Sequence, residues 1–194
     1  MSDEQAMTGR EKAVAIAKDV LEHVQTYHWS RGTYLSGSWY GGTHLTGDLQ
    51  DHVEEVEKSC TMCLLGACLV SKARLFDAVP LAKLYRSYYD GAYVDHRSIN
   101  PEREAIEPLL QDIFPSLELS KIESAFERRV MNDGCDDTTA NWDLLRGAAL
   151  FGRRLNDDAD RVTAVMENII ANDGIFVVDP VTRDAYDAAV RSRP

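Results

Sequence analysis

Four cysteines carry the most reactive side chains of this sequence, and Cys60, Cys63 and Cys68 fall within nine residues. Cys63 is expected in the first turn of a helix that starts after Ser59, where the amide dipoles favour a thiolate. Such a thiol would be the nucleophile of a cysteine-dependent hydrolase, provided that a base and an orienting group lie beside it. No histidine stands in a motif that marks it as that base. The apolar residues around Cys63 predict instead a buried core thiol.

The spacing Cys60-Thr-Met-Cys63 is also that of a metal knuckle or a redox pair. A structural zinc needs four ligands, and the nearest imidazoles, those of His44 and His52, form no recognisable second pair. A redox pair would follow a strand in a βαβ unit, and no such pattern precedes Cys60. We therefore expect no metal and no other cofactor, with Cys60, Cys63, His44 and His52 as the weak candidate ligands.

A segment rich in glycine and aromatic residues extends from 27 to 48 and is the candidate ligand-binding loop. Thr33–Leu35 and Ser38–Tyr40 are spaced to pair as a short hairpin across Ser36-Gly37. Aromatic side chains usually pack into a core, which favours irregular core packing, but loops of this kind also contact ligands. The residues that would make such contacts are Trp29, Arg31, Trp39, Tyr40 and His44.

The elements that must position these residues are mainly helices. Thr8 and Glu11 form a capping-box pattern before an apolar stripe, and Ser120 and Glu123 repeat that pattern further along. Apolar residues recur at helical spacing in most of the remaining chain. The predicted helices span about 9–25, 60–74, 80–89, 120–131, 140–150, 158–171 and 182–190. We therefore expect a flexible N-terminus at 1–8 and a single mainly helical domain at 9–194, with a short β-hairpin or loop near its start.

Gly66 and Ala67 leave a small-residue groove on the helix predicted at 60–74. The helix predicted at 158–171 offers the branched side chains of Val162, Val165 and Ile169 at matching spacing. Filling a groove of small residues with branched side chains gives close packing without voids. The sequence therefore predicts that these two helices pack directly against each other.

Length, composition and charge exclude several classes of protein. The chain has 194 residues and a net charge of -11, and residues 101–150 alone hold 11 acidic and 5 basic side chains. This charge repels nucleic acid, so we expect no binding to duplex DNA. No run of about 18 apolar residues predicts a membrane helix. The acidic, polar first residues do not resemble a secretory signal, which predicts a cytoplasmic protein.

Three short motifs resemble an uncharacterised family of small proteins from actinobacteria and their phages. They are Trp29-Ser-Arg-Gly32, then Cys63-Leu-Leu-Gly66-Ala67 at a helix start, then Leu155-Asn156-Asp157 before the last long helix. Cys68 and Leu155 replace the Leu and Trp that are usual in that family. The resemblance implies that about 76–150 is an insertion and that the protein is a phage or actinobacterial accessory protein. It implies no known activity.

These observations favour a non-enzymatic accessory protein, plausibly phage-encoded, that binds a host or phage protein in the cytoplasm. In that case the contact surface of the partner should be basic or apolar, and the chain could also form a homo-oligomer. A cysteine-dependent hydrolase that uses Cys63 is the first alternative. A small-ligand-binding protein of the counter-defence type, using the Trp29–His44 loop, is the second.

Overall fold

The computed structural model describes residues 7–38, 47–76, 79–84, 98–99, 103–131 and 138–192. Trp39, Tyr40 and His44 lie outside these ranges, as do Cys135 and the second half of the predicted helix at 80–89. The described chain is mainly helical with a small sheet near its N-terminus, which confirms the predicted fold class. Its α-helices are α1 Gly9–His23, α2 Val53–Ser59, α3 Leu64–Leu75, α4 Arg103–Leu110, α5 Ser116–Glu127, α6 Thr139–Arg153, α7 Asp158–Ala171 and α8 Arg183–Arg191.

Helix α1 begins at the predicted capping box. Thr8 Oγ1 accepts from the Glu11 amide at 3.3 Å, and the Glu11 carboxylate accepts from the Thr8 amide at 2.7 Å. The two bonds satisfy amides that a helix start otherwise leaves without partners. Ile16 and Val20 on the apolar stripe of α1 are fully buried, and α1 packs against both α3 and α7.

The sheet differs from the predicted hairpin. Its strands are β1 His28–Trp29, β2 Leu35–Ser38, β3 Thr61–Met62 and β4 Ser98–Ile99, in the order β1-β3-β2-β4. Ser36 and Gly37 lie inside β2, where they pair with Thr61 of β3 and Ile99 of β4. The local turn signal at Ser36-Gly37 was therefore wrong, because pairing with segments distant in sequence extends the strand through it.

The helix predicted at 60–74 starts four residues later than expected. Cys60 is the extended residue that follows α2, Thr61 and Met62 form β3, and Cys63 is the N-cap of α3. Cys60 and Cys63 therefore do not share a helical face. The capping strength of Ser59 was overestimated, since β3 is stabilised by pairing with both β1 and β2.

The predicted contact of Gly66 with the helix at 158–171 is also wrong. A Cβ atom at Gly66 would overlap the carbonyl oxygen of Tyr34, so this glycine admits the chain just before β2. Helix α3 packs mainly against α1, α4 and α5, whereas α7 packs mainly against α1 and α5. Val162, Val165 and Ile169 on the apolar stripe of α7 are fully buried, as expected. Their helix packs mainly on α1 and α5 rather than on α3.

Helices α4 to α8 complete the described fold. Pro108 lies inside α4, and that helix ends two residues later. Helix α5 begins at Ser116 rather than at the second capping pattern. Ser120 and Glu123 are therefore buried in the middle of α5. Asp157 caps α7 by accepting from two amides. Residues 175–178 form neither a helix nor a strand and lead to α8, which packs on α6. None of the helices in these ranges has the length and apolarity needed to cross a bilayer.

Candidate functional site

Cys63 lies in the core. Its side chain is 2 % exposed, and its backbone amide donates to the carbonyls of Thr33 and Tyr34. Burial raises the pKa of the Cys63 thiol well above its ordinary value, and the carboxylates of Glu123 and Glu127 act in the same direction. A catalytic thiol needs exposure and a group that favours the thiolate. The structure thus gives Cys63 the environment of a structural thiol and confirms its predicted burial.

The described candidate metal ligands, Cys60, Cys63 and His52, do not form a group that could hold a metal ion. Cys60 is fully buried, and burial raises its pKa to about 11. Its sulfur lies against Gly37 of β2, while His52 ends the 3-10 turn Leu49–His52 that precedes α2. Within the described ranges, no three side chains of histidine, cysteine, aspartate or glutamate are grouped as a metal site would require. His44 lies outside those ranges.

A buried polar network contains Glu123, one of the carboxylates whose charge acts on Cys63. The Tyr34 hydroxyl donates to Glu123, and Arg103 forms an ion pair with the same carboxylate. Arg103 also donates to Ser120 at 2.8 Å and to Glu107 at 3.0 Å. Burial raises the pKa of Tyr34, and its bond to Glu123 adds to the effect. Because each charge has a partner, this network joins the chain just before β2 to α4 and α5 as a structural link.

The Trp29–Gly32 segment is fixed against α5. The Trp29 indole donates to the Val24 carbonyl at 3.0 Å, and its ring lies 5.9 Å from that of Phe126. The Gly32 amide donates to the Glu127 carboxylate at 2.8 Å. Trp29 is therefore held mainly by packing, as the core interpretation predicted, and the segment directs Arg31 towards the ends of α5 and α7.

Arg31 meets the start of α7. Its Nε lies 3.9 Å from Oδ1 of Asp158, and 49 % of the Arg31 side chain is exposed. Asp158 also forms an ion pair with Arg161, whose side chain is fully buried. The structure therefore brings the Trp29–Gly32 motif together with the Leu155–Asp157 motif, which the sequence separates by more than a hundred residues.

Arg161 holds three helix ends in place. It donates to the carbonyls of Gly152 at 3.1 Å, Phe126 at 3.2 Å and Leu155 at 3.0 Å. The last carbonyls of a helix have no partner within the helix and carry partial negative charge, so a buried guanidinium satisfies them. This explains how a charge that is fully buried is tolerated.

Two further arginines complete what we call the arginine cluster, which consists of Arg31, Arg128, Arg153 and Arg161. Arg153 donates from Nε to the Arg128 carbonyl at 2.8 Å. Arg128 ends α5 in a left-handed conformation with φ of 61°. Desolvation lowers the pKa of Arg128, and the charges of Arg161, Arg31 and Arg153 lower it further, against the opposing effect of Asp158. The fold thus holds four like charges close together.

Sequence reasoning identified only Arg31 of this cluster. Arg128 and Arg153 each precede a second arginine at a helix end, in a chain with few basic side chains. These Arg-Arg pairs were the signal that would have pointed to them. Arg161 gave no such signal, since its spacing is that of an ordinary polar position on α7.

A cleft of about 440 Å³ lies between α6 and α8. No residue of α8 is buried, and the preceding chain is fixed to α6 where the Val181 amide donates to the Asp143 carbonyl at 2.8 Å. Asp143 also pairs with Arg146 at 2.6 Å. The residues that line this α6–α8 cleft are Val130, Trp142, Arg146, Arg183, Tyr186 and Asp187.

Comparison of the chain with protein-family models, with curated proteins and with solved structures found no match. The resemblance to the actinobacterial and actinophage proteins therefore stays a prediction.

Proposed function

We propose that this protein acts by binding a partner protein, and that the α6–α8 cleft receives an apolar side chain of that partner flanked by a carboxylate. The observation that carries the proposal is that Trp142 and Tyr186, both half-buried, line the same open cleft under a helix with no buried residue. Aromatic residues and arginine dominate the binding energy of protein interfaces, because they bury large areas at low entropic cost.

The charges at the cleft support a partner with an acidic residue beside its apolar anchor. Arg183 is 81 % exposed at the cleft edge, and its pairing with Asp187 is loose at 4.0 Å. A carboxylate on the partner would replace that contact with a closer one. Because the rest of this chain is acidic, a partner with a broadly acidic surface would be repelled elsewhere, which favours a short acidic and apolar segment.

The environment of Cys63 supports binding rather than thiol chemistry. Its sulfur is buried, and the charges that act on it are carboxylates, which oppose formation of a thiolate. The resemblance to actinobacterial and actinophage proteins implies where such binding would occur. We propose a phage-encoded accessory protein that acts in the host cytoplasm.

The test uses Tyr186→Ala, with Leu75→Ala as the control. Leu75 is 41 % exposed on α3 and does not line the cleft. A partner recovered with the full chain is purified, and its affinity is measured by calorimetry. We expect Tyr186→Ala to weaken binding by about 2 kcal/mol or more, as for an interface anchor, and Leu75→Ala to bind as the parent does. Equal affinities for all three chains would overturn the α6–α8 cleft as the binding surface.

A further inference from the structure

We propose that the arginine cluster is a binding site for a phosphate group carried by a small molecule. The cluster brings together four of the 21 basic side chains of a protein whose net charge is -11. It is formed by the β1–β2 segment and by the ends of α5, α6 and α7, and it does not include the residues of the α6–α8 cleft. The inference is therefore independent of the proposed partner binding.

One of the four arginines, Arg161, is buried. The other three are partly accessible, and we call them the rim. Arg161 is fully buried, donates to backbone carbonyls and forms an ion pair with Asp158, so it makes no direct contact with the ligand and leaves the excess positive charge to Arg31, Arg128 and Arg153. Arg31 is half-exposed, and its distance of 3.9 Å from Asp158 is at the outer limit of an ion pair. A bound phosphate at the rim would make shorter contacts with Arg31 than Asp158 does.

The positions of Arg128 and Arg153 are set by backbone contacts. Arg153 is fixed by its bond to the Arg128 carbonyl. Arg128 itself adopts a left-handed conformation, which a side chain other than glycine, asparagine or aspartate rarely takes. Such local strain persists where surrounding structure imposes it, and it is frequent at binding sites. The rim is thus organised before any ligand arrives, which reduces the entropic cost of binding.

A phosphate group fits this arrangement better than a carboxylate. It offers three or more acceptor oxygens and nearly two negative charges, so that it can contact several guanidinium groups at once. Its charge would also offset the mutual repulsion of the arginines. The net charge of the chain would repel a nucleic acid or another extended polyanion, which leaves a small phosphorylated molecule as the ligand class.

The test measures binding of inorganic phosphate, pyrophosphate and glycerol phosphate to the full chain by calorimetry and by thermal unfolding. Sodium chloride and sodium acetate at equal ionic strength are the references. We expect saturable binding of the phosphates and a raised melting temperature that neither reference reproduces. Binding of glycerol phosphate above that of inorganic phosphate would support a phosphate ester as the ligand, and the reverse order would overturn that assignment in favour of the free anion.

Three variants locate the site. Arg31→Ala and Arg128→Asn should each weaken phosphate binding roughly tenfold, as expected for loss of one charged hydrogen bond. Asparagine is chosen at Arg128 because it tolerates the left-handed conformation. Arg154→Ala is the matched control, since Arg154 is exposed, adjacent to Arg153, and lines a separate pocket with Gly147 and Asn168. The absence of saturable binding, or an equal loss in Arg154→Ala, would overturn the proposal, and melting curves of all three variants show that they are folded.

Discussion

At the scale of single residues, Gly66 shows how a contact with a segment distant in sequence can leave no room for a side chain. Its missing side chain leaves space for the carbonyl of Tyr34, whose backbone carbon would lie 2.9 Å from a Cβ atom at Gly66. The same carbonyl accepts from the amide of Cys63. The close approach therefore fixes the strand segment on the first turn of α3 and buries the thiol.

This contact makes Gly66→Ala a destabilising change. Although alanine favours a helix by about 1 kcal/mol over glycine, the new methyl group would displace a backbone carbonyl, and we expect a net loss of about 2 to 3 kcal/mol in unfolding free energy. Gly32→Ala is the control, because open space surrounds that Cβ position and only the positive φ of 76° adds a cost of about 1 kcal/mol. Urea unfolding of both variants measures the difference. Equal stabilities of Gly66→Ala and the parent would show that the strand segment does not lie on Gly66.

At the scale of elements, Arg161 is the side chain that joins the ends of α5 and α6 to the start of α7. Helix ends present carbonyls that must find donors when they are buried. One guanidinium supplies several donors in a fixed plane, which a lysine cannot do. The arrangement also explains the short turn between α6 and α7, since the carbonyls of Leu155 and Asn156 both accept from Arg161.

Removal of that guanidinium should loosen the whole junction. Arg161→Met keeps most of the volume but leaves the carbonyls of Phe126 and Leu155 without the guanidinium donor, and we expect a loss of about 3 kcal/mol or more. Arg154→Met applies the same change to an exposed arginine and should stay within about 0.5 kcal/mol of the parent. Chemical unfolding followed by circular dichroism compares the two. A small effect of Arg161→Met would mean that water satisfies the carbonyls.

At the scale of the whole molecule, charge is distributed so that a small basic region lies within an acidic protein. The arginine cluster depends on four separated parts of the chain, whereas more than half of the acidic excess lies in residues 101–150. The field far from the surface is therefore negative, and the positive potential is felt only at short range. We expect such a distribution to favour binding of a small anion and to repel a polyanion.

The charge distribution predicts no appreciable binding to duplex DNA at physiological salt. The reason is that non-specific binding needs several phosphate contacts along one surface, and the net charge of -11 opposes the approach of the duplex. A filter-binding titration at several salt concentrations measures this. Micromolar binding that weakens steeply with salt would contradict the prediction and would indicate a basic surface larger than the arginine cluster.

The sequence alone determined the helical class, the first capping box and the burial of Cys63. Each of these follows from local spacing or from the polarity of near neighbours, which act within a few residues. The strand β3, the partner of Gly66 and the convergence of Arg31 with Arg128, Arg153 and Arg161 were decided only by the tertiary structure. They depend on pairing and packing between segments far apart in the chain, and such contacts leave no periodic signal in the residues that form them.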